Sequence, residues 1–295
     1  MGLVNLHFRN LFGTGRRLAA RWYRENQFTQ EIELRYHEPW IAAFPVNGDF
    51  GFFQRKQDSS YVRRQYDLSA ELMLSEEFRV GVSLSQTEVI PSERQAGHLV
   101  AESQSTTVGG YVLYDSRDDA VTPTSGMFYR TEFQTGTKKR SLGTVTLSNT
   151  AQRFTVEMEY TLALAQRHLF NATLHARELR SGGLDISDLY RLGGATTLRG
   201  YREGQFLGSR LVWTNLEYRI LVAPRSFFYL FSDVGYISTP DPSVAGLADS
   251  EQTKVGYGIG TRMDTALGLL GVSIALGQGD TFSTAKLHLR LVNEF

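Results

Sequence analysis

From Gln152 to Leu164 the chain alternates strictly. Phe154, Val156, Met158, Tyr160, Leu162 and Leu164 fall on one parity, and Arg153, Thr155, Glu157, Glu159, Thr161 and Ala163 on the other. Successive side chains of a strand point to opposite faces, so this segment is a strand with one apolar and one polar face. Leu169–Leu179 repeats the pattern, with Phe170, Ala172, Leu174 and Ala176 set against Asn171, Thr173, His175 and Arg177. The last segment repeats it again, with Leu287, Leu289 and Leu291 between Lys286, His288 and Arg290. Similar strands are expected at about 3–11, 16–24, 30–37, 49–58, 61–74, 77–88, 107–117, 126–137, 210–221, 227–237, 253–264 and 269–278, which brings the number to about 15. No segment keeps a period of 3.6, and no low-complexity linker divides the chain. One all-β domain over residues 1–295 is the expectation.

Strand length separates a soluble sandwich from a membrane barrel. Strands of soluble domains run about 5–6 residues, whereas most of these run about 10–12. Ten residues at about 3.3 Å each, tilted roughly 45°, rise about 23 Å, close to the apolar band of roughly 25 Å on an outer-membrane barrel. A soluble fold would leave too many apolar faces uncovered. Aromatics near strand ends (Trp22, Tyr23, Tyr36, Trp40, Phe227, Phe228 and Tyr236) are placed where interfacial girdles fall. The expectation is an antiparallel transmembrane β-barrel.

Composition agrees by exclusion. Lys and Arg total 31 against 31 Asp and Glu, which argues against a nucleic-acid partner. There is no cysteine, so disulfides, thiolate metal sites and cysteine nucleophiles are ruled out. No run of 18 apolar residues offers a transmembrane helix, and Met1–Ala20 does not read as a signal peptide. The His-Glu-x-x-His, Gly-x-Ser-x-Gly and Gly-x-x-x-x-Gly-Lys patterns are all missing, and the histidines are scattered. The expectation is a chain that is not an enzyme, with no metal and no cofactor. Asp115, Asp118 and Asp119 beside Arg117 read as a turn-stabilising charge cluster in preference to a cation site. His175 and His288 read as lumen lining, and the inward Glu/Arg pairs as salt-bridge ladders.

The connections carry a second period. Short turns are read at Gly13–Gly15, Ser75–Glu77, Ala165–His168, Val222–Ser226 and Asp264–Gly268, and longer loops at about 89–106, 137–150, 180–209 and 238–252. Bacterial barrels have short periplasmic turns and longer external loops, so the C-terminus is expected in the periplasm. Such barrels have an even number of strands. An odd count then means either a missed strand or a first strand lying upstream of Met1.

The longest loop contains Tyr190-Arg191-Leu192-Gly193-Gly194-Ala195-Thr196-Thr197-Leu198-Arg199-Gly200-Tyr201. Here the sequence resembles the barrel of the BamA/TamA outer-membrane assembly family. Gly193 and Gly194 match the approach to its sixth external loop, and Leu198, Arg199, Gly200 and Tyr201 match that loop's tip. Asn10–Gly15 resembles the turn after the family's second strand. Tyr114–Asp118 with Pro123–Gly126 resembles another family turn, and Phe231–Gly235 the inner-wall strand that receives the tip. The likeness runs from about residue 3 to Phe295. It implies 16 strands, of which about 15 are present with the first apparently missing, and periplasmic repeats that normally precede the barrel. It also implies a loop at about 180–209 folded into the lumen.

Arg199 offers a rigid fork suited to a carboxylate. Glu217 shares the polar face of its strand with Asn215 and Arg219, while the inward direction of Asp233 rests on the family. An Arg199 contact with Glu217, Asp233 or both would pin the loop. Gly200 would permit the tight backbone, and Tyr201 would stack on the wall. Leu287, Leu289, Leu291 and Phe295 fit a C-terminal folding signal on a strand that forms one side of a lateral seam; Asn293 departs from the usual apolar choice. The resemblance implies a bacterial or organellar outer-membrane location and a barrel acting in protein insertion or translocation. Its partners would be outer-membrane lipid, with unfolded outer-membrane clients or a secreted partner, and possible periplasmic accessory proteins. A two-partner secretion transporter, or a passive pore or anchor barrel, stays open as the alternative.

Overall fold

A computed structural model describes residues 2–58, 60–91, 100–239, 250–266 and 268–292. Alternating apolar residues give long strands whose backbone groups can be satisfied only by neighbours, so each strand pairs antiparallel with the next. In chain order these are β1 Gly2–Leu11, β2 Arg16–Arg24, β3 Gln30–Glu38, β4 Val46–Gln57, β5 Tyr61–Met73, β6 Phe78–Pro91, β7 Glu102–Asp115, β8 Gly126–Leu142, β9 Val145–Ala165 and β10 His168–Ser181. Two short strands follow, β11 Tyr190–Leu192 and β12 Phe206–Gly208. The wall then resumes with β13 Arg210–Ala223, β14 Ser226–Ser238, β15 Glu251–Thr265, β16 Gly268–Gly277 and β17 Lys286–Val292.

Among the described residues the wall is one 15-stranded sheet ordered from β1 to β17, with β11 and β12 forming a separate two-stranded ribbon. Its edges are β1 and β17, and among the described residues no ladder joins them. This is the expected barrel, with the expected number of wall strands. Among the described residues no helix is long and apolar enough to cross a membrane, which says nothing of crossing by strands.

The two faces sort as the alternation demands. Leu68, Val82, Val108, Phe133, Tyr160, Leu162, Leu230, Ile259, Leu287 and Leu289 stay exposed on the outer face. In water that area would be a liability; in lipid it is the solvent-facing surface. The inner face carries charges in pairs: Arg55 with Glu25 and Glu31, Arg21 with Glu31 and Glu33, and Arg130 with Glu132.

Three expectations need correction. Residues 137–150 are not a loop: β8 and β9 pair from Thr137↔Thr150 out to Leu142↔Val145. On β8 both faces are polar from Thr137 to Ser141, and the facing part of β9 carries only Val145 and Leu147 as apolar residues, so the period of two is present in the backbone but faint in hydropathy. The loop read at 89–106 also shortens: β6 continues through Val89 and Ile90 to Pro91, and β7 starts in the polar stretch at Glu102, with Val89 opposite Ser103. Among the girdle aromatics, Tyr23 and Phe227 turn inward. Arg21 lies 5.5 Å from the Tyr23 ring centroid, and Arg219 and Arg262 lie 4.9 and 5.2 Å from that of Phe227.

Connection lengths alternate less cleanly than read. The five short turns fall at the end of the barrel where β17 finishes, but that end also carries residues 39–45 and 116–125. The opposite end has the long 182–209 loop and also the tight 143–144 turn.

Candidate functional site

The 182–209 segment leaves β10 and returns to β13, so both ends are fixed to adjacent wall strands. Its apolar residues decide where it goes. Leu192 and Leu198 are fully buried and cluster with Tyr201, Phe206, Leu211, Trp213 and Ile237. Leu211 and Trp213 project from β13 and Ile237 from β14, so the loop packs against the inner wall. Pairing of Leu192 with Phe206 in the β11–β12 ribbon holds the two limbs together.

Glycines let the tip reach the wall. Gly200 has φ +91, and a Cβ there would stand 2.6 Å from the Leu276 backbone. On the wall, a Cβ at Gly256 would fall 1.8 Å from the Arg199 carbonyl oxygen, and one at Gly277 would fall 2.9 Å from that of Gly200. Asp233, Gly256 and Gly277 occupy one row across β14, β15 and β16. The tip therefore sits on a floor two glycines wide, with Asp233 at its edge. A glycine inside a strand marks close approach of another backbone, and that signal was available in the sequence.

Arg199 takes both carboxylates left open above. Its Nε donates to Asp233 Oδ2 at 2.8 Å and its Nη2 to Asp233 Oδ1 at 2.7 Å, a bidentate fork, while Nη1 donates to Glu217 Oε1 at 2.6 Å. The Arg199 backbone N–H also donates to Asp233, at 2.9 Å. The guanidinium lies 3.7 Å from the Phe231 ring centroid. Asp233 has no solvent exposure and Arg199 is 6% exposed. Such burial of charge is tolerable only when every group has a counter-ion. Glu217 is balanced on its other oxygen by Arg219 Nε at 2.8 Å, and Arg219 Nη2 continues to Asn171 at 2.8 Å. Two arginines and two carboxylates thus form a neutral chain from the loop tip into the wall.

The neighbours fix the tip's backbone. Gly193 N–H donates to Thr197 Oγ1 at 2.9 Å, Gly194 N–H to the Leu198 carbonyl at 3.1 Å, and Asn215 Nδ2 to the Thr197 carbonyl at 2.6 Å. Gly193 and Gly194 have φ +117 and +109, where a side chain would be strained. Gly200 N–H donates to His288 Nε2 at 3.2 Å, which brings β17 into the site. Tyr201 reaches the wall through its hydroxyl, donating to the Val255 carbonyl at 2.9 Å and accepting from Gln278 N–H at 3.0 Å. Its ring meets Phe206 edge-on at 5.0 Å.

A second anchor was not anticipated. Asp185, in the loop's first limb, takes a bidentate fork from Arg140 at 2.7 and 3.1 Å, and Asp188 pairs with Lys138. Arg63 Nη1 donates to the Ser187 carbonyl at 2.8 Å. Lys138 and Arg140 belong to the part of β8 that hydropathy hid, so this anchor was illegible with it.

Leu287, Leu289 and Leu291 lie on the outer face of β17, while Phe295 lies outside the described residues. The Asp115–Asp119 cluster stabilises its turn. Arg117 forks onto Asp115 at 2.9 Å twice and reaches Glu159 at 2.7 Å; Asp118 accepts the N–H groups of Thr124 and Ser125, and Asp119 those of Val121 and Thr122. Burial opposes their charge, but these hydrogen bonds outweigh it and hold Asp118 and Asp119 below the usual aspartate range. Among the described residues no group of three or more acids or histidines is placed to hold a metal.

A lipid-faced antiparallel barrel whose own loop is clamped to its inner wall defines a class of outer-membrane proteins. The chain belongs to the Omp85 superfamily, whose domain matches residues 10–291. That family's barrels reside in outer membranes. Among solved structures the chain is similar to BamA from Haemophilus ducreyi lacking POTRA domains 1-3, with a TM-score of 0.65 and 16% identity over 97% of this chain and 65% of that one. It is also similar to CdiB from Acinetobacter baumannii, with a TM-score of 0.58 and 13% identity over 94% of this chain and 52% of that one. The chain thus spans under two thirds of the length of each, and at these identities the likeness is one of fold. No curated protein matches the sequence.

Proposed function

We propose that this barrel assembles or translocates other proteins at the outer membrane, without bond chemistry of its own. The observation that carries the reading is the buried Arg199 fork on Asp233 and Glu217. It makes the loop an internal strut that ties β13 and β14 to the loop tip, and through His288 to β17. The β1 and β17 edges would form a lateral seam. An exposed edge can template an incoming strand by β-augmentation. Leu287, Leu289 and Leu291, with Phe295, would serve as the C-terminal signal for the barrel's own insertion, and the end where β17 finishes would face the periplasm. Clients would be unfolded outer-membrane proteins, with periplasmic accessory proteins delivering them.

The test is reconstitution in liposomes, with the rate of folding of a urea-unfolded outer-membrane barrel measured with and without this protein. Acceleration that Arg199→Ala abolishes is the expected result. Equal rates with and without the protein would reject the assembly role. Export of a dedicated partner through the lumen would then be the reading to pursue.

A further inference from the structure

The lumen beside the Arg199 seat holds more positive charge than the strut uses. A cavity of about 430 Å³ is lined by Arg199, Arg219, Arg262 and Arg290, with Glu159 and Glu217 as its carboxylates. Each carboxylate is already committed. Glu217 is held by Arg199 and Arg219, and Glu159 by Arg117 at 2.7 Å; Asp233 behind them is held by Arg199.

Arg262 and Arg290 are left over. Among the described residues Arg262 makes one hydrogen bond, from Nη1 to the Val121 carbonyl at 3.2 Å, and rests against the Phe227 ring. Among the described residues Arg290 has no hydrogen bond and no ion pair, and it is open to the lumen. Arg219, 5% exposed, keeps its Nη1 without any acceptor. The register explains why these groups converge: Arg262 on β15 and Arg290 on β17 flank Gly271 of β16 in a single row. Gly271 carries no side chain, so none stands between Arg262 and Arg290 in that row.

We infer that this cavity is an oxyanion site, selective for a phosphate group, in which Arg262 and Arg290 clamp the ligand and Arg219 supplies charge from behind. Like charges gathered in a low-dielectric wall repel unless a counter-ion joins them. Guanidinium forks match phosphate oxygens with paired hydrogen bonds, and two such forks match the charge of a phosphate dianion. The volume exceeds a water's share of about 30 Å³ many times over, so a phosphate monoester with its waters fits. A ligand held there would join β15 to β17 across β16 and so brace the edge strand. The site depends on the lumen geometry and not on the assembly role proposed above.

The phosphate can be free or carried on a lipid headgroup, and the experiment separates the two. The detergent-refolded protein is titrated with inorganic phosphate against chloride at matched ionic strength, following the temperature at which its folded gel band is lost. In parallel, the protein is reconstituted in phosphatidylcholine vesicles with and without phosphatidic acid. A phosphate-specific rise in that temperature is expected. Arg262→Gln and Arg290→Gln should each weaken the apparent affinity about tenfold or more, as loss of a charge-assisted fork predicts. Arg290→Lys should retain part of it, and Arg35→Gln, on the exposed Arg35–Glu33 pair, should leave it unchanged. If Arg262→Gln does not fold, Arg290→Gln carries the test alone. A response only to phosphatidic acid assigns the headgroup as source. No response to either ligand in the wild type, or equal responses in Arg290→Gln, overturns the inference.

Discussion

Replacing Arg199 with alanine removes the Nε and Nη2 donors to Asp233 and the Nη1 donor to Glu217, but keeps the backbone N–H on Asp233. Glu217 still has Arg219; Asp233, fully buried, is left without a counter-ion. Breaking a buried ion pair from one side costs about 3–5 kcal/mol. The adjoining cavity lets water relieve part of this, so the lower end, about 3 kcal/mol, applies here. At about 1.4 kcal/mol per factor of ten, the undocked population of the loop should rise about a hundredfold. No ladder hydrogen bond of the wall is touched, so strand content should not change. The assay is external proteolysis of the folded protein, scored as the rate of cleavage between Gly182 and Gly208, because cleavage of a transiently opened segment follows its open population. A rate within about threefold of the wild type would refute the strut, since even a surface ion pair can be worth about 1 kcal/mol.

Other perturbations separate the parts. Gly256→Ala, whose Cβ would stand 1.8 Å from the Arg199 carbonyl oxygen, should raise cleavage of the same loop as Arg199→Ala does, with unchanged circular dichroism; normal protection would remove the glycine floor from the account. Asp185→Asn should speed cleavage in the 182–189 limb while the 193–201 tip stays protected, as read by the cleavage sites in mass spectrometry. Asp118 and Asp119 have lowered folded-state pKa values, so their contribution is present above the unfolded value of about 3.9 and is lost as pH falls through the lower folded values. Hydrogen exchange of residues 116–125 should therefore be flat, after correction for intrinsic rates, from pH 7 to about 4 and accelerate below it. Acceleration already at pH 6 would contradict that assignment.

How much of this could be read beforehand follows from where alternation is visible. β9 and β10 separate charge from hydrocarbon and were read nearly to their cores. The outer ends of β8 and β9 stand clear of that contrast, with Lys138 and Arg140 among other polar residues, so strand and second anchor vanished together. β14, expected at 227–237, is found at Ser226–Ser238, and only its inward face was hidden. Phe227, Tyr229 and Phe231 point inward while Phe228 and Leu230 point outward, so both faces are apolar. The inner aromatics are there because arginines stack on them: Arg199 on Phe231, and Arg219 and Arg262 on Phe227. The inward direction of Glu217 came from its own strand; that of Asp233 had to come from the family resemblance. Gly256 and Gly277 were legible as strand glycines, but what approached them was a backbone from about 60 to 80 residues away in sequence, which periodicity does not encode.

The direct contact between loop and wall is the central claim, and a double-mutant cycle on Arg199 and Asp233 measures it. Loop cleavage is compared in Arg199→Ala, Asp233→Ala and the double variant, all folded in the same detergent. If the fork is the anchor, the double variant should be cleaved no faster than the faster single variant, giving a coupling of about 2 kcal/mol or more. Multiplicative effects of the two substitutions, with coupling near zero, would mean that Arg199 and Asp233 act separately and that the loop is held by something else.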